Sequence, residues 1–100
     1  MYQMFLKVHR GSDNSEVVAV CDRELLNTTL KDGDFTLEIS EKFYGNTLTE
    51  ECEVRRILAS ACNANLIGHR TIALAIDTGV LDREACTEIG GVPHAIILAL

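Results

Sequence analysis

The hydrophobic pattern of this chain changes its period along the sequence, and this change constrains the fold more than any other feature. Near the N-terminus the apolar residues Met4, Leu6 and Val8 alternate with other side chains, as the residues of a strand do. Apolar residues then recur at helical spacing within 48–66, and the chain closes on the unbroken apolar run 95–100. The order of strands, helices and strand favours an α+β fold over an alternating α/β fold.

Three strand segments shape the first part of the chain. Residues 2–9 and 16–21 flank a short run of turn formers, so we predict that they pair as a hairpin. Asp22 follows, and we predict that its carboxylate caps a short helical turn. Residues 35–40 alternate most cleanly and form the predicted third strand. The side chains expected to face inward from this strand are Phe35, Leu37 and Ile39.

Two helices are predicted in the second half of the chain, at about 48–66 and 69–78. Thr47 and Glu50 stand at the spacing of a capping box, in which each side chain satisfies the backbone N–H of the other residue. Gly68 is a suitable residue to end the first helix. The second helix is apolar around most of its circumference and is therefore expected to be largely buried.

The predicted C-terminal strand, 94–100, has no polar residues alternating with its apolar ones after His94. Such a run is typical of a strand that is covered on both faces. The complete prediction is one α+β domain over residues 1–100. In it, a small, mostly antiparallel sheet packs against the two helices.

Charge and hydropathy narrow the classes of partner. The chain has 100 residues and a formal net charge of −6, which opposes bulk binding to DNA because cationic side chains supply most of that affinity. No apolar run approaches the ~18 residues that a membrane-spanning helix requires. We expect no secretory leader and a cytoplasmic location.

The four cysteines, at positions 21, 52, 62 and 86, include no close-spaced pair of the kind that binds structural zinc. We therefore expect no metal site and no cofactor. Cys62 lies at core spacing on the predicted helix, so the sequence predicts a buried thiol there and not a nucleophile.

The most distinctive candidate site is a loop before the C-terminal strand. Paired glycines allow a ligand to approach the backbone closely, and the proline restricts the geometry of the residue before it. The histidine that follows is a hydrogen-bonding or proton-transfer group. The residues of this candidate site are Gly90, Gly91, Val92, Pro93 and His94. A structural turn with a half-buried histidine is the alternative.

A second candidate lies at the predicted helix junction, where Asn63 and Asn65 could bind a partner or could only fix the turn. Four basic side chains near the same junction could form a patch for RNA, or a solvated face neutralised by glutamates. These side chains are Arg55, Arg56, His69 and Arg70. No spacing of carboxylates indicates an acid/base pair, so we assign no catalytic residue.

Three segments together resemble a known family. They are Phe43-Tyr44-Gly45, the run from Ala64 to Gly68, and the run from Ile89 to Ala95, and their order and spacing resemble the archaeal domain-of-unknown-function family 424. The resemblance covers nearly the whole chain. It implies an archaeal source and a link to translation or RNA machinery. No catalytic residues can be carried over from it.

Three functions remain open on the sequence. The first is a non-catalytic module that binds protein or RNA through the 90–94 loop and the 63–70 junction. The second is a small enzyme that uses His94 as a base. The third is a structural homo-oligomer that pairs through the C-terminal strand.

Overall fold

The computed structural model describes residues 2–98 and contains a six-stranded sheet, a separate two-stranded sheet and three helices. The strands are β1 (Gln3–Arg10), β2 (Glu16–Asp22), β3 (Thr28–Asp32), β4 (Phe35–Ile39), β5 (Leu48–Glu50), β6 (Asn63–Ile67), β7 (Thr87–Ile89) and β8 (Val92–Leu98). The helices are α1 (Glu41–Tyr44), α2 (Glu51–Ser60) and α3 (His69–Thr78). Short 3-10 turns lie at Arg23–Leu25 and Arg83–Ala85.

The large sheet has the strand order β5-β1-β2-β6-β8-β7, and only β2 and β6 pair in parallel. The predicted α+β fold with a mostly antiparallel sheet is therefore confirmed. The N-terminal hairpin is formed by β1 and β2, and α3 has the predicted bounds. The predicted C-terminal strand is present as β8, although the last two predicted residues, 99 and 100, lie outside the described residues.

The predicted helix at 48–66 is wrong at both ends. Its start is the short strand β5, which pairs with β1, so Thr47 and Glu50 form no capping box and α2 begins without a side-chain cap. Its end is the strand β6, which lies between β2 and β8 and receives a ladder of hydrogen bonds from each. Tertiary pairing thus overrides the helical periodicity, because the segment can satisfy its backbone on both sides.

The third predicted strand exists as β4, but it pairs with β3 apart from the large sheet. Ile39 is buried and Leu37 is partly buried, as predicted, whereas Phe35 is 52% exposed. The hairpin packs on the small core through Leu30, Leu37 and Ile39, and the Phe35 side chain lies outside that cluster. The prediction for Phe35 was therefore wrong, because alternation identifies a shared face and not how much of it is covered.

The two faces of the large sheet are covered by different elements. Helices α2 and α3 lie on one face, here called the helix face, and form the larger core with β1, β2, β6 and β8. The other face, here called the hairpin face, is covered by α1 and the β3–β4 hairpin around a smaller core. Within residues 2–98, no helix is both long enough and apolar enough to cross a bilayer.

The prediction that Asp22 caps the short turn after it was wrong. Asp22 instead caps the N-terminus of α3. Its buried carboxylate accepts hydrogen bonds from the backbone N–H groups of Arg70 and Thr71, at 3.0 and 2.8 Å. It also accepts one from the Thr71 hydroxyl, at 2.8 Å. A Cβ on Gly68 would lie 2.2 Å from the carboxylate carbon, so only glycine fits beside Asp22. The end of β2 therefore fixes the start of α3.

Candidate functional site

The Gly90-Gly91 segment forms the tight turn of the β7–β8 hairpin. Ile89 pairs with Val92, which leaves the two glycines as the loop. Their φ angles are 57° and 83°, and two successive positive φ angles are what a type I′ turn requires. Both glycines thus use the positive φ that the lack of a Cβ allows, and the turn by itself accounts for their presence.

This turn packs against the β3–β4 hairpin. The backbone N–H of Gly90 donates to the Asp32 carboxylate at 3.2 Å. A Cβ on Gly90 would lie 2.7 Å from the carbonyl oxygen of Lys31, which excludes any larger residue without a shift of backbone. Gly90 is thus a contact between the large sheet and the hairpin, whereas Gly91 has open space beside it.

His94 and Asn65 meet on the hairpin face, which unites the two sequence candidates. The Nε2 atom of His94 lies 3.1 Å from Oδ1 of Asn65, and the hydroxyl of Tyr44 donates to the same oxygen at 3.0 Å. Because an amide oxygen only accepts, Nε2 of His94 carries the proton in this arrangement. The three side chains form one hydrogen-bonded network across α1, β6 and β8.

Tyr44 is held in place because α1 is fixed to β1. The Nζ of Lys7 donates to the carbonyl of Lys42 at 3.0 Å, and Nε2 of His9 lies 2.7 Å from the carbonyl of Phe43. The His9 ring also stacks on the Phe43 ring, with centroids 4.9 Å apart. Polar side chains of β1 thus satisfy the last carbonyls of α1, and Tyr44 is buried beneath them.

Burial controls the protonation of this network. Desolvation lowers the pKa of His94, so the imidazole is neutral at pH 7. Desolvation also raises the pKa of the Tyr44 hydroxyl far above its usual value, so the hydroxyl stays a donor. The network is therefore uncharged at neutral pH, and its central acceptor, the Asn65 amide, does not titrate.

Beyond the network, β8 presents apolar side chains to solvent. Ile96 is 55% exposed and Leu98 is 72% exposed. Ala95, which faces the helices, is buried. The prediction that this strand is covered on both faces was wrong, because only the helix face of its second half is packed. We call the group formed by Asn65, His94, Ile96 and Leu98 the β8 surface.

The four basic residues that were predicted near a helix junction do not form one patch. Arg55 pairs with Asp77 at 2.6 Å, and Arg56 pairs with Glu53. The guanidinium of Arg70 lies over the Tyr2 ring, 4.1 Å from its centroid. Arg56 lines a cleft beside Arg10 and Glu16, whereas Arg55 and Arg70 line another together, with Glu51 and Asp77. His69 lines a third cleft.

Asn63 and Cys62 lie at the start of β6. The Asn63 amide donates to the carbonyl of Glu16 at 3.5 Å, which is a structural contact. Cys62 is exposed, so the predicted buried thiol was wrong, because the chain has already left the helix at Ala61. Cys21 is the buried thiol, and burial raises its pKa to about 12. Among residues 2–98, no three His, Cys, Asp or Glu side chains are grouped to hold a metal ion.

A cleft of about 320 Å³ lies between α3 and β7, and it contains one residue of the 90–94 segment, Pro93. Its floor includes Ile72 and Ile76, and its rim includes Arg83 and Glu88. His94 does not line this cleft, since it projects from the opposite face of β8. The candidate proton-transfer group and this concave space are therefore separated by the sheet.

These observations define a class of protein: a small α+β domain with a mixed six-stranded sheet and a partly uncovered strand at one side. Within that class, the family described as a protein of unknown function, DUF424, matches residues 9–100, and the chain belongs to this family. The fold is similar to a crystal structure of an uncharacterized conserved protein from the archaeon Methanopyrus kandleri. The TM-score is 0.83 at 29% identity, over 98% of this chain and 94% of that one. No curated protein matches the chain.

Sequence reasoning missed two parts of the site. The first is Tyr44, which the sequence marks only as part of a segment that resembles the family. Nothing in the pattern around it predicts a contact with Asn65. The polar–apolar alternation of Asn63, Ala64, Asn65 and Leu66 was the signal for β6. Reading it as a strand would have placed both asparagines on one face.

Proposed function

We propose that the protein is a non-catalytic binding module that binds an extended polypeptide segment along the outer edge of β8. The observation that carries the proposal is the exposure of Ile96 and Leu98 on a strand whose outer edge is only partly paired. Exposed apolar side chains beside unpaired backbone groups are the features that β-strand addition uses.

The backbone of β8 supports this mode of binding. Strand β7 covers its outer edge only at Val92–His94, where His94 pairs with Thr87. In an antiparallel ladder successive residues point their N–H and C=O groups to opposite sides. The carbonyl of Pro93 accepts from the N–H of Gly68, directly after β6, so the groups of the alternate residues Ala95 and Ile97 also point to β6 and those of Ile96 and Leu98 point outward. Within residues 2–98, no strand pairs with these outward groups.

The polar network adds side-chain hydrogen bonds next to that edge. Oδ1 of Asn65 is occupied by Tyr44 and His94, but its amide nitrogen retains two donors. Nδ1 of neutral His94 retains an acceptor. A partner segment that pairs with Ile96 would pass near Nδ1 of His94, which lies two residues earlier on the same face of β8, whereas Asn65 lies one strand further in, on β6.

The charge distribution favours a polypeptide over RNA. The chain has a net charge of −6, and Arg10, Arg55 and Arg56 are paired with acidic side chains. Aliphatic side chains such as Ile96 and Leu98 offer no ring on which a base could stack. The link to RNA machinery that the resemblance implies would then depend on a protein partner.

The enzyme alternative has less support. A general base needs a free nitrogen within reach of a bound substrate, usually in a concave site. Nε2 of His94 is bonded to the Asn65 amide, and although Nδ1 keeps its lone pair, His94 lies outside the cleft that contains Pro93. The lowered pKa of His94 follows from burial alone, without a charged partner.

Affinity capture with matched variants tests the proposal. Tagged protein, its Ile96→Asp variant and its Phe35→Asp variant would be incubated with native extract, with and without RNase. Phe35 is the control because it is apolar and similarly exposed but lies on β4, in the separate two-stranded sheet. We expect the wild type and Phe35→Asp to capture the same proteins despite RNase, and Ile96→Asp to lose them.

The opposite results would contradict the proposal. Capture that disappears with RNase would indicate RNA as the ligand. Capture that is the same for Ile96→Asp would place the partner on another surface. Urea unfolding of all three proteins shows whether a loss of binding is a loss of folding.

A further inference from the structure

We infer that the polypeptide bound on the β8 edge is a second copy of this chain, which pairs antiparallel to the first about a two-fold axis at Ile97. The inference rests on the proposed function and names its partner. It depends on the register that the edge allows, on which side chains that register brings together, and on the charge of the segment.

The free length of the edge limits the register. Thr87 occupies the outer side of β8 at His94, so a second strand can pair only beyond that point. The outward N–H and C=O groups there belong to Ile96 and Leu98. A two-fold axis at Ile97 pairs Ile96 with the partner's Leu98, and Leu98 with the partner's Ile96. Both residues of each copy then exchange hydrogen bonds.

This register is self-complementary for side chains. Ile96 and Leu98 both project from the hairpin face, so each exposed side chain would lie directly opposite the other type on the second copy. Directly opposite side chains in an antiparallel pair lie within contact distance. The two most exposed apolar residues of β8 would thus cover each other, and no different partner sequence is needed.

The edge also lacks the features that usually prevent such pairing. Residues 95–98 contain no charged side chain and no proline, so two chains of net charge −6 can meet there without placing like charges opposite each other. The other edge of the large sheet differs, since β5 has three residues and carries Glu50. Strand β7 is equally short and carries Glu88. At the edges of the large sheet, as described for residues 2–98, the second half of β8 is left without such protection.

Light scattering coupled to size exclusion, over a range of protein concentrations, gives the first test. We expect the wild type and Phe35→Asp to show twice the monomer mass, and the Ile96→Asp/Leu98→Asp variant to dissociate. Because opposed carboxylates would be brought together, dimerisation of that variant should weaken by at least ~10-fold. A wild type that is monomeric at every concentration would overturn the inference.

Disulfide trapping tests the register. In a background with Cys52, Cys62 and Cys86 changed to serine, Ile97→Cys should form a covalent dimer. The two Cα atoms of a non-hydrogen-bonded pair at the axis would be ~4.5 Å apart, which is within disulfide range. Ile96→Cys is the matched control, because its two copies would be diagonal neighbours roughly 7–8 Å apart and too distant to link. Equal or faster linking of Ile96→Cys would contradict the register.

The two proposals fail differently. A monomer that does not link through Ile97→Cys, yet captures other proteins in an Ile96-dependent way, would refute the second copy and leave the binding module intact. A monomer that captures nothing through Ile96 would refute both.

Discussion

The two faces of the large sheet bury polar groups in different ways. On the helix face, the carboxylate of Asp22 is fully enclosed and receives three hydrogen bonds from α3. On the hairpin face, the amide of Asn65 is only half-buried and keeps unused donors. The first face is completed by its own chain, whereas the second ends in exposed apolar residues of β8.

This difference separates structural groups from candidate functional ones. A buried charge must be satisfied within the fold, and Asp22 already accepts three hydrogen bonds from α3. A partly exposed network that retains hydrogen-bonding capacity can accept a partner at little cost. We therefore expect substitutions on the helix face to reduce stability, and substitutions on the β8 surface to act mainly on binding.

The largest effect is expected for Gly68→Ala. The new Cβ would overlap the Asp22 carboxylate, and the φ of 117° disfavours any L-residue. We expect a loss of about 3 kcal/mol or more in the free energy of unfolding, measured by urea denaturation. Gly79→Ala is the control, because its φ is also positive but no atom lies within 4 Å of the new Cβ. Equal losses for both variants would show that crowding against Asp22 is unimportant.

Asp22→Ala should have the next largest effect. It removes the acceptor for the N–H groups of Arg70 and Thr71 and leaves both without a partner. We expect a loss of about 2–3 kcal/mol and faster hydrogen exchange at the start of α3. Asp82→Ala is the matched control, since Asp82 also precedes a short turn but makes no side-chain cap. An effect no larger than that of the control would contradict the assigned cap.

Tyr44→Phe tests the network on the hairpin face with a smaller change. Removal of the hydroxyl takes away one of two hydrogen bonds to Asn65, and the ring remains packed. We expect a loss of about 1 kcal/mol in urea denaturation. Tyr2→Phe provides the comparison: the Tyr2 hydroxyl donates to Glu24 and accepts from the backbone N–H of Arg23, but both bonds are exposed to solvent, so it should contribute less. A larger loss of stability for Tyr2→Phe than for Tyr44→Phe would contradict the greater contribution assigned to the Tyr44 hydroxyl.

The smallest effect concerns pH. Burial lowers the pKa of His94 in the folded state, so the unfolded chain takes up the proton first as the pH falls. Stability should therefore decrease as the pH falls from about 7 to about 5. His94→Gln should show less of this decrease in urea midpoints at the two pH values, and His69→Gln should keep it. The same decrease in both variants would assign it to other groups.

Parts of the fold and site were predictable because they depend on local patterns. The hairpin of β1 and β2 follows from alternation on either side of a turn, and α3 follows from its apolar periodicity and Gly79. The special geometry of Gly90 and Gly91 follows from the absence of a Cβ. The convergence of His94 with Asn65 was not predictable, because the helical periodicity of 48–66 predicts a helix where β6 lies.

The sequence by itself determined the α+β class, the positions of most turns and the residues that could line a binding surface, because these depend on neighbours a few positions away. The tertiary structure decided that 63–67 is a strand, that Asp22 caps a helix 48 residues further on, and that one face of β8 stays uncovered. The reason is that ladder partners, caps and covering elements come from distant parts of the chain. Local periodicity records which side chains share a face but not what packs against it.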